Sequence, residues 1–163
     1  MILRCCHRIW DMPDSASPIS VLAFDFGLKQ IGVAYGQTLT NSARALSILN
    51  ARDGVPQWSA VAALLAEWKP QLLLVGLPIN MDNTESTLSI RATKFARRLR
   101  GRFDLEVQMV DERLTSQSAK SFVREQNQHS GGHKQDLTKI DHIAAAMILQ
   151  SWLDDPAIGL SLQ

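Results

Sequence analysis

The hydrophobic pattern becomes regular at about residue 20. Residues 21–26 (VLAFDF) are apolar except for Asp25, the pattern of a strand buried on both faces. Gly27 interrupts the run. Residues 31–35 (IGVAY) predict a second strand after a tight connection, and 43–49 a third. Strands this close in sequence are hairpin-linked and pair antiparallel. The period then changes: Val61, Leu64, Leu65 and Trp68 recur at helical spacing over 57–68, and Pro70 ends that helix. A short buried strand at 72–76 precedes a helix over 84–100 with Leu88, Phe95 and Leu99 on one stripe. Beyond it come a strand at 105–110, a helix over 115–126 capped by Thr115, a flexible loop at 129–135 (HSGGHKQ) and a last helix over 138–153. There is no internal repeat.

The order βββαβαβαα predicts an α/β fold. A three-strand antiparallel meander followed by helix-linked parallel strands gives a mixed five-stranded sheet flanked by helices. Its first strand is central, and ligand sites in such sheets lie beyond the carboxyl ends of parallel strands, which favours Asp25. Residues 1–19, with Pro13, Ser15, Ser17 and Pro18, predict a poorly ordered leader in which Met12 is an alternative start. Residues 20–155 form the expected domain and 156–163 a C-terminal tail.

Composition narrows the class. The 163 residues suit one domain, and the balance of 45% hydrophobic and 20% charged residues is that of a globular chain. The longest apolar runs, 72–75 and 143–149, fall far short of the roughly 20 residues a membrane helix needs. Cys5 and Cys6 are adjacent, which excludes a disulfide scaffold, and without a CxxC pair a zinc ribbon has no ligands. No secretory signal is evident, so the chain reads as cytoplasmic. Net charge is +1, but residues 91–102 (RATKFARRLRGR) hold six basic residues and no acid, leaving 11 basic against 16 acidic residues elsewhere. A basic block on an acidic body suggests a polyanionic partner contacted through Arg91, Lys94, Arg97, Arg98, Arg100 and Arg102; the alternative is a solvated helix face.

Three acids are candidates for chemistry. Asp25 lies in an apolar strand, where a carboxylate is costly unless a cation sits beside it; alternatively it caps the turn at Gly27. Asp111 and Glu112 end the last strand, and strand alternation puts them on opposite sides without saying which faces a site. An exposed strand end whose charges pair with Arg113 is the other reading. Asp141 falls in the first turn of the last helix, where TxxD is also a capping pattern. Together, carboxylates at neighbouring strand ends can hold Mg²⁺ or Mn²⁺, whose hardness favours oxygen ligands, for phosphodiester hydrolysis. In 75–83 (VGLPINMDN), Asp82 or Asn83 is the expected cap of the following helix, with Glu85 completing a box.

Four stretches, LAFDFGLKQIGVAYG (22–36), VGLPINMD (75–82), DERLTS (111–116) and IDHIAAAMILQ (140–150), resemble those of the YqgF (RuvX) family in the family's order. The resemblance implies an RNase H-like fold and a divalent-metal nuclease whose acids fall on Asp25, Glu112 and Asp141, with Asp111 the substitute for Glu112. It also implies a role in maturing the 5′ end of 16S ribosomal RNA, with RNA or the ribosomal particle as partner. Departures are Gln30 in place of the usual Arg, with Lys29 beside it to contact phosphate, Asn83 in place of Gly, and His142 in place of Ser. Arg113 joins the expected nucleic-acid contacts. The rival readings are a Holliday junction resolvase, which would act as a homodimer rather than a monomer, and a ribosome-associated RNA-binding protein without catalysis.

Overall fold

The computed structural model describes residues 17–82, 84–115, 121, 124, 125 and 140–162, and of 140–142 the backbone alone. Strands β1 (Ser20–Asp25), β2 (Gln30–Gln37) and β3 (Ser42–Arg52) form the meander, followed by the two-residue β4 (Val55–Pro56). Helix α1 (Trp58–Trp68), β5 (Leu72–Leu77), α2 (Thr87–Phe103) and β6 (Glu106–Asp111) come next. A 3₁₀ turn (Glu112–Leu114), α3 (Ile140–Asp154), a second 3₁₀ turn (Pro156–Ile158) and β7 (Gly159–Ser161) complete the described chain. The 115–126 helix expected from sequence lies largely outside the described residues; Thr115 is described, and its hydroxyl donates to the Glu112 carbonyl at 2.8 Å, closing the 3₁₀ turn.

The sheet runs β4-β3-β2-β1-β5-β6-β7, with β1, β5 and β6 parallel and the remaining pairs antiparallel. It has seven strands rather than the expected five. Neither added strand has a hydrophobic run of its own. β4 pairs Ala51 with Pro56 across a turn in which Asp53 takes the left-handed conformation (φ 52°). β7 lies within the segment read from sequence as a tail. Asp155 caps the preceding 3₁₀ turn by accepting from the Ala157 amide, and β7 then pairs with β6 at Gln108–Val110.

β1 is central and buried on both faces, as its apolar run requires. Leu22, Phe24 and Phe26 pack with Val61 of α1 and with Phe95, Ala96 and Leu99 of α2. Val21 and Ala23 point the other way, onto Ala145, Ile148, Leu149 and Trp152 of α3. The result is three layers, with α1 and α2 on one face and α3 on the other. At the start of α2 the expected cap is replaced. Asp82 already accepts from the Thr84 amide and hydroxyl (3.0 and 2.6 Å), and Glu85 is drawn into a bridge with Ile79. Ser86 caps the helix instead, in a reciprocal box with Ser89. Among the described residues no helix is long and apolar enough to cross a membrane.

Candidate nuclease active site

The parallel strands β1, β5 and β6 end at one edge of the sheet. Phe24 pairs with Val75 and Leu77 with Asp111, which brings Asp25, Gly76 and the Asp111–Glu112 step side by side. The chain leaves β1 through a turn that Gly27 makes possible, since a Cβ there would run into the Gln30 carbonyl oxygen. Lys29 is exposed at the tip of this turn, and Gln30 opens β2 opposite Asn50.

At this edge the two adjacent acids part company. Asp111, 7% exposed, turns to Arg113: its Oδ2 accepts from Nη2 at 2.7 Å and from Nε at 3.1 Å, and its Oδ1 from the Arg113 amide at 2.9 Å. Those hydrogen bonds hold the Asp111 carboxyl below the usual carboxylate range. Arg113 also donates to the Asn80 carbonyl at 3.3 Å, tying the loop after β5 to the end of β6.

Glu112 folds back over β5 and is hydrogen-bonded to Asp25. Burial pushes its pKa up and the charge on Asp111 adds to this, while the hydrogen bond with Asp25 opposes both. The half-buried Glu112 carboxyl crosses the sheet over Gly76, where a Cβ would lie 2.7 Å from its Oε1 and 2.7 Å from Ile148 Cδ1. Only a residue without a side chain leaves that passage open.

Two carboxyl groups pressed together at a partly dehydrated edge offer hard oxygen donors of one charge sign. This donor set fits a divalent cation such as Mg²⁺ or Mn²⁺ and does not suit zinc, which prefers nitrogen and sulfur. Asp141 lies in the first turn of α3, the helix packed across β1 and β2, but its side chain lies outside the described residues, as do Asn83 and the side chain of His142. Among the described residues, no group of three His, Cys, Asp or Glu side chains converges.

A profile of the RuvX family, described as Holliday junction resolvase, matches residues 19–155. The chain belongs to the RuvX family. Curated relatives agree: a protein of Hahella chejuensis is 50% identical over 141 residues, covering 86% of this chain and 87% of its own. One of Haemophilus influenzae is 50% identical over 137 residues, covering 83% and 96%. Both carry the name "Putative pre-16S rRNA nuclease". RuvX membership makes this chain a nuclease, an enzyme that hydrolyses phosphodiester bonds. A solved Thermus thermophilus RuvC bound to a Holliday junction superposes with a TM-score of 0.58 over 88% of this chain and 99% of that one, at 12% identity. That likeness shows the fold, which is RNase H-like.

The basic block of this RuvX chain is not one surface. Arg91, Lys94 and Arg98 recur at helical spacing along one stripe of α2, facing the β3–β4 turn. Arg102 continues the stripe, with its guanidinium 4.5 Å above the Trp58 ring. Arg100 lies on the opposite side and donates to the Leu162 carbonyl at 3.1 Å, near β7. Arg97 is exposed between the two. Sequence reasoning missed the passage at Gly76, whose only trace is a glycine closing an apolar strand.

Proposed function

We propose that this chain is a divalent-metal-dependent endonuclease that matures the 5′ end of precursor 16S ribosomal RNA in the cytoplasm. The observation that carries the reading is the meeting of Glu112 with Asp25 at the shared edge of three parallel strands, over a glycine that leaves room for it. Half-buried carboxylates there are poor partners for one another and good ones for a hard cation. Asp25 and Glu112 would hold the metal, and Asp141, in the first turn of α3, would complete the set. A bound divalent ion supplies positive charge for the attacking water and the leaving oxygen.

The remaining residues orient the substrate. Arg113 holds Asp111 away from the pair and keeps the loop at Asn80 beside it. Lys29 at the β1–β2 turn and the α2 stripe supply cations for backbone phosphates, which fix register without reading sequence. The name borne by relatives about 50% identical supports RNA as substrate. The family description keeps a four-way DNA junction as the second substrate to test.

The test offers a precursor 16S RNA and a four-way junction side by side, with Mg²⁺ or Mn²⁺, to wild type and Asp25→Asn. Cutting of RNA alone, lost in the variant, is the expected result. Junction cutting lost in the variant would transfer the reading to DNA. Tight RNA binding without any cutting would replace it with a binding protein.

A further inference from the structure

A pocket of about 200 Å³ opens between α2 and the β3–β4 turn, on the opposite face of the sheet from the acid pair. Its floor is Phe26, packed against Phe95 at 5.5 Å between ring centroids. Its rim is cationic: Arg91, Lys94 and Arg98 line it, against a single acid, Asp53. Asp53 is ion-paired with Arg91, yet its side chain is 76% exposed, so the pair sits at the mouth rather than in the core.

This pocket is built next to the acids. Phe26 directly follows Asp25, the last residue of β1, and packs in the cluster under α1 and α2, whereas Asp25 meets Glu112 beside Gly76 on the α3 face. The turn that crosses between them is fastened to the pocket's outer wall, with the Gly54 amide donating to the Leu28 carbonyl and the Ala51 amide to the Lys29 carbonyl, both at 2.8 Å. A strand that lay on Asp25 and Glu112 and rounded the β1–β2 turn would meet exposed Lys29 and then the cationic pocket.

We infer that the pocket is a subsite for a backbone phosphate of the bound nucleic-acid strand, a few nucleotides from the cleaved bond, and that Asp53 is a stand-in anion the phosphate displaces from Arg91. A backbone phosphate carries no sequence information, so the contact is sequence-independent. The inference rests on the nuclease reading and deepens it. It excludes Arg100, which is engaged near β7, from the subsite.

The sign of one substitution separates this from a structural ion pair. Asp53→Asn removes the competitor while keeping a residue that tolerates the left-handed backbone (φ 52°). Asp104→Asn is its matched control, since Asp104 also sits at φ 52° but at the far end of α2, beside Arg100. Binding of a fluorescent single-stranded RNA, and of DNA of the same sequence, would be measured by anisotropy in EDTA over a salt series. Asp53→Asn should tighten binding about two- to fivefold, the reciprocal of an exposed pair's worth, and Asp104→Asn should not. Arg91→Gln/Lys94→Gln/Arg98→Gln, with its fold checked by thermal unfolding, should lower the slope of log K against log salt by about 2. Arg97→Gln/Arg100→Gln should lower it far less per charge removed.

Equal effects of the two Asp variants, or weaker binding by Asp53→Asn, would overturn the subsite while leaving the nuclease reading intact. If only DNA is bound, with the same pattern among the variants, the subsite stands and the substrate changes. Failure of wild type to bind either strand would overturn the subsite and leave the nuclease reading to the cleavage assay.

Discussion

Replacing Gly76 by alanine tests the geometry of the acid pair without touching an acid. Ordinary contact begins near 3.4 Å, so an added methyl, 2.7 Å from both Glu112 Oε1 and Ile148 Cδ1, is about 0.7 Å too close to each. Ile148 is locked in the α3 face of the core, 3% exposed. Glu112 has the more flexible side chain and yields first, swinging off Asp25. Misplacement on the order of 1 Å at a reacting centre costs about 100-fold in rate. Overpacking costs about 1–3 kcal/mol, partly offset by the entropy glycine loses on folding. For a chain this size each kcal/mol is worth about 2–4 °C in Tm. Gly76→Ala should therefore fold, melt several degrees lower, and lose most of its cleavage and Mn²⁺ affinity at 25 °C. Thermal unfolding, a cleavage rate per folded molecule and a Mn²⁺ titration check this. Undiminished rate and Mn²⁺ affinity would refute the claim that Gly76 exists to let Glu112 reach Asp25.

Gly101 provides the converse case: it lies within α2, and a Cβ there meets nothing within 4 Å. Gly101→Ala should raise stability by about 0.5–1 kcal/mol, read as a higher Tm with unchanged cleavage. Asp111→Asn should cost about 1 kcal/mol at neutral pH, because Arg113 is 32% exposed and recovers water when its partner weakens. The folded-state pKa of Asp111 is depressed, so its contribution is complete above the ordinary carboxylate value and is lost as pH falls through the folded value. Chemical denaturation in a pH series should show the gap between wild type and Asp111→Asn closing below about pH 4. Trp152→Phe removes the indole N–H donated to Gln108 Oε1 at 3.1 Å, beneath the β6–β7 pair. It should cost about 1 kcal/mol and speed amide exchange across the β6–β7 pair, measured by hydrogen exchange.

The strands and helices that bury continuous or periodic apolar runs were legible, because burial on two faces or one leaves different periods in the sequence. β1, β2 and β5 are of this kind. β4 and β7 were not, since strands of two and three residues exist only through pairing with a distant partner already in place. The start of α2 was misread for a related reason. An Asp three residues before a Glu satisfies the capping pattern, but Asp82 had a nearer donor in Thr84, and the next serine pair took the role.

The candidate site shows where periodicity stops being informative. Alternation assigns faces only while the chain remains a strand, and β6 ends at Asp111. Beyond it the choice between the acids depends on Arg113, whose guanidinium reaches back to Asp111 and leaves Glu112 to cross over Gly76. Each of these residues is visible in the sequence, but the decision is a competition among three side chains and a missing one. The basic block behaves similarly. Six like charges in twelve residues read as one patch, yet a helix turns about 100° per residue and deals them to different neighbours: Asp53, Trp58 and the end of β7. Charge density along the sequence therefore indicates the sign of a partner, while the helical angle decides which cations share one face.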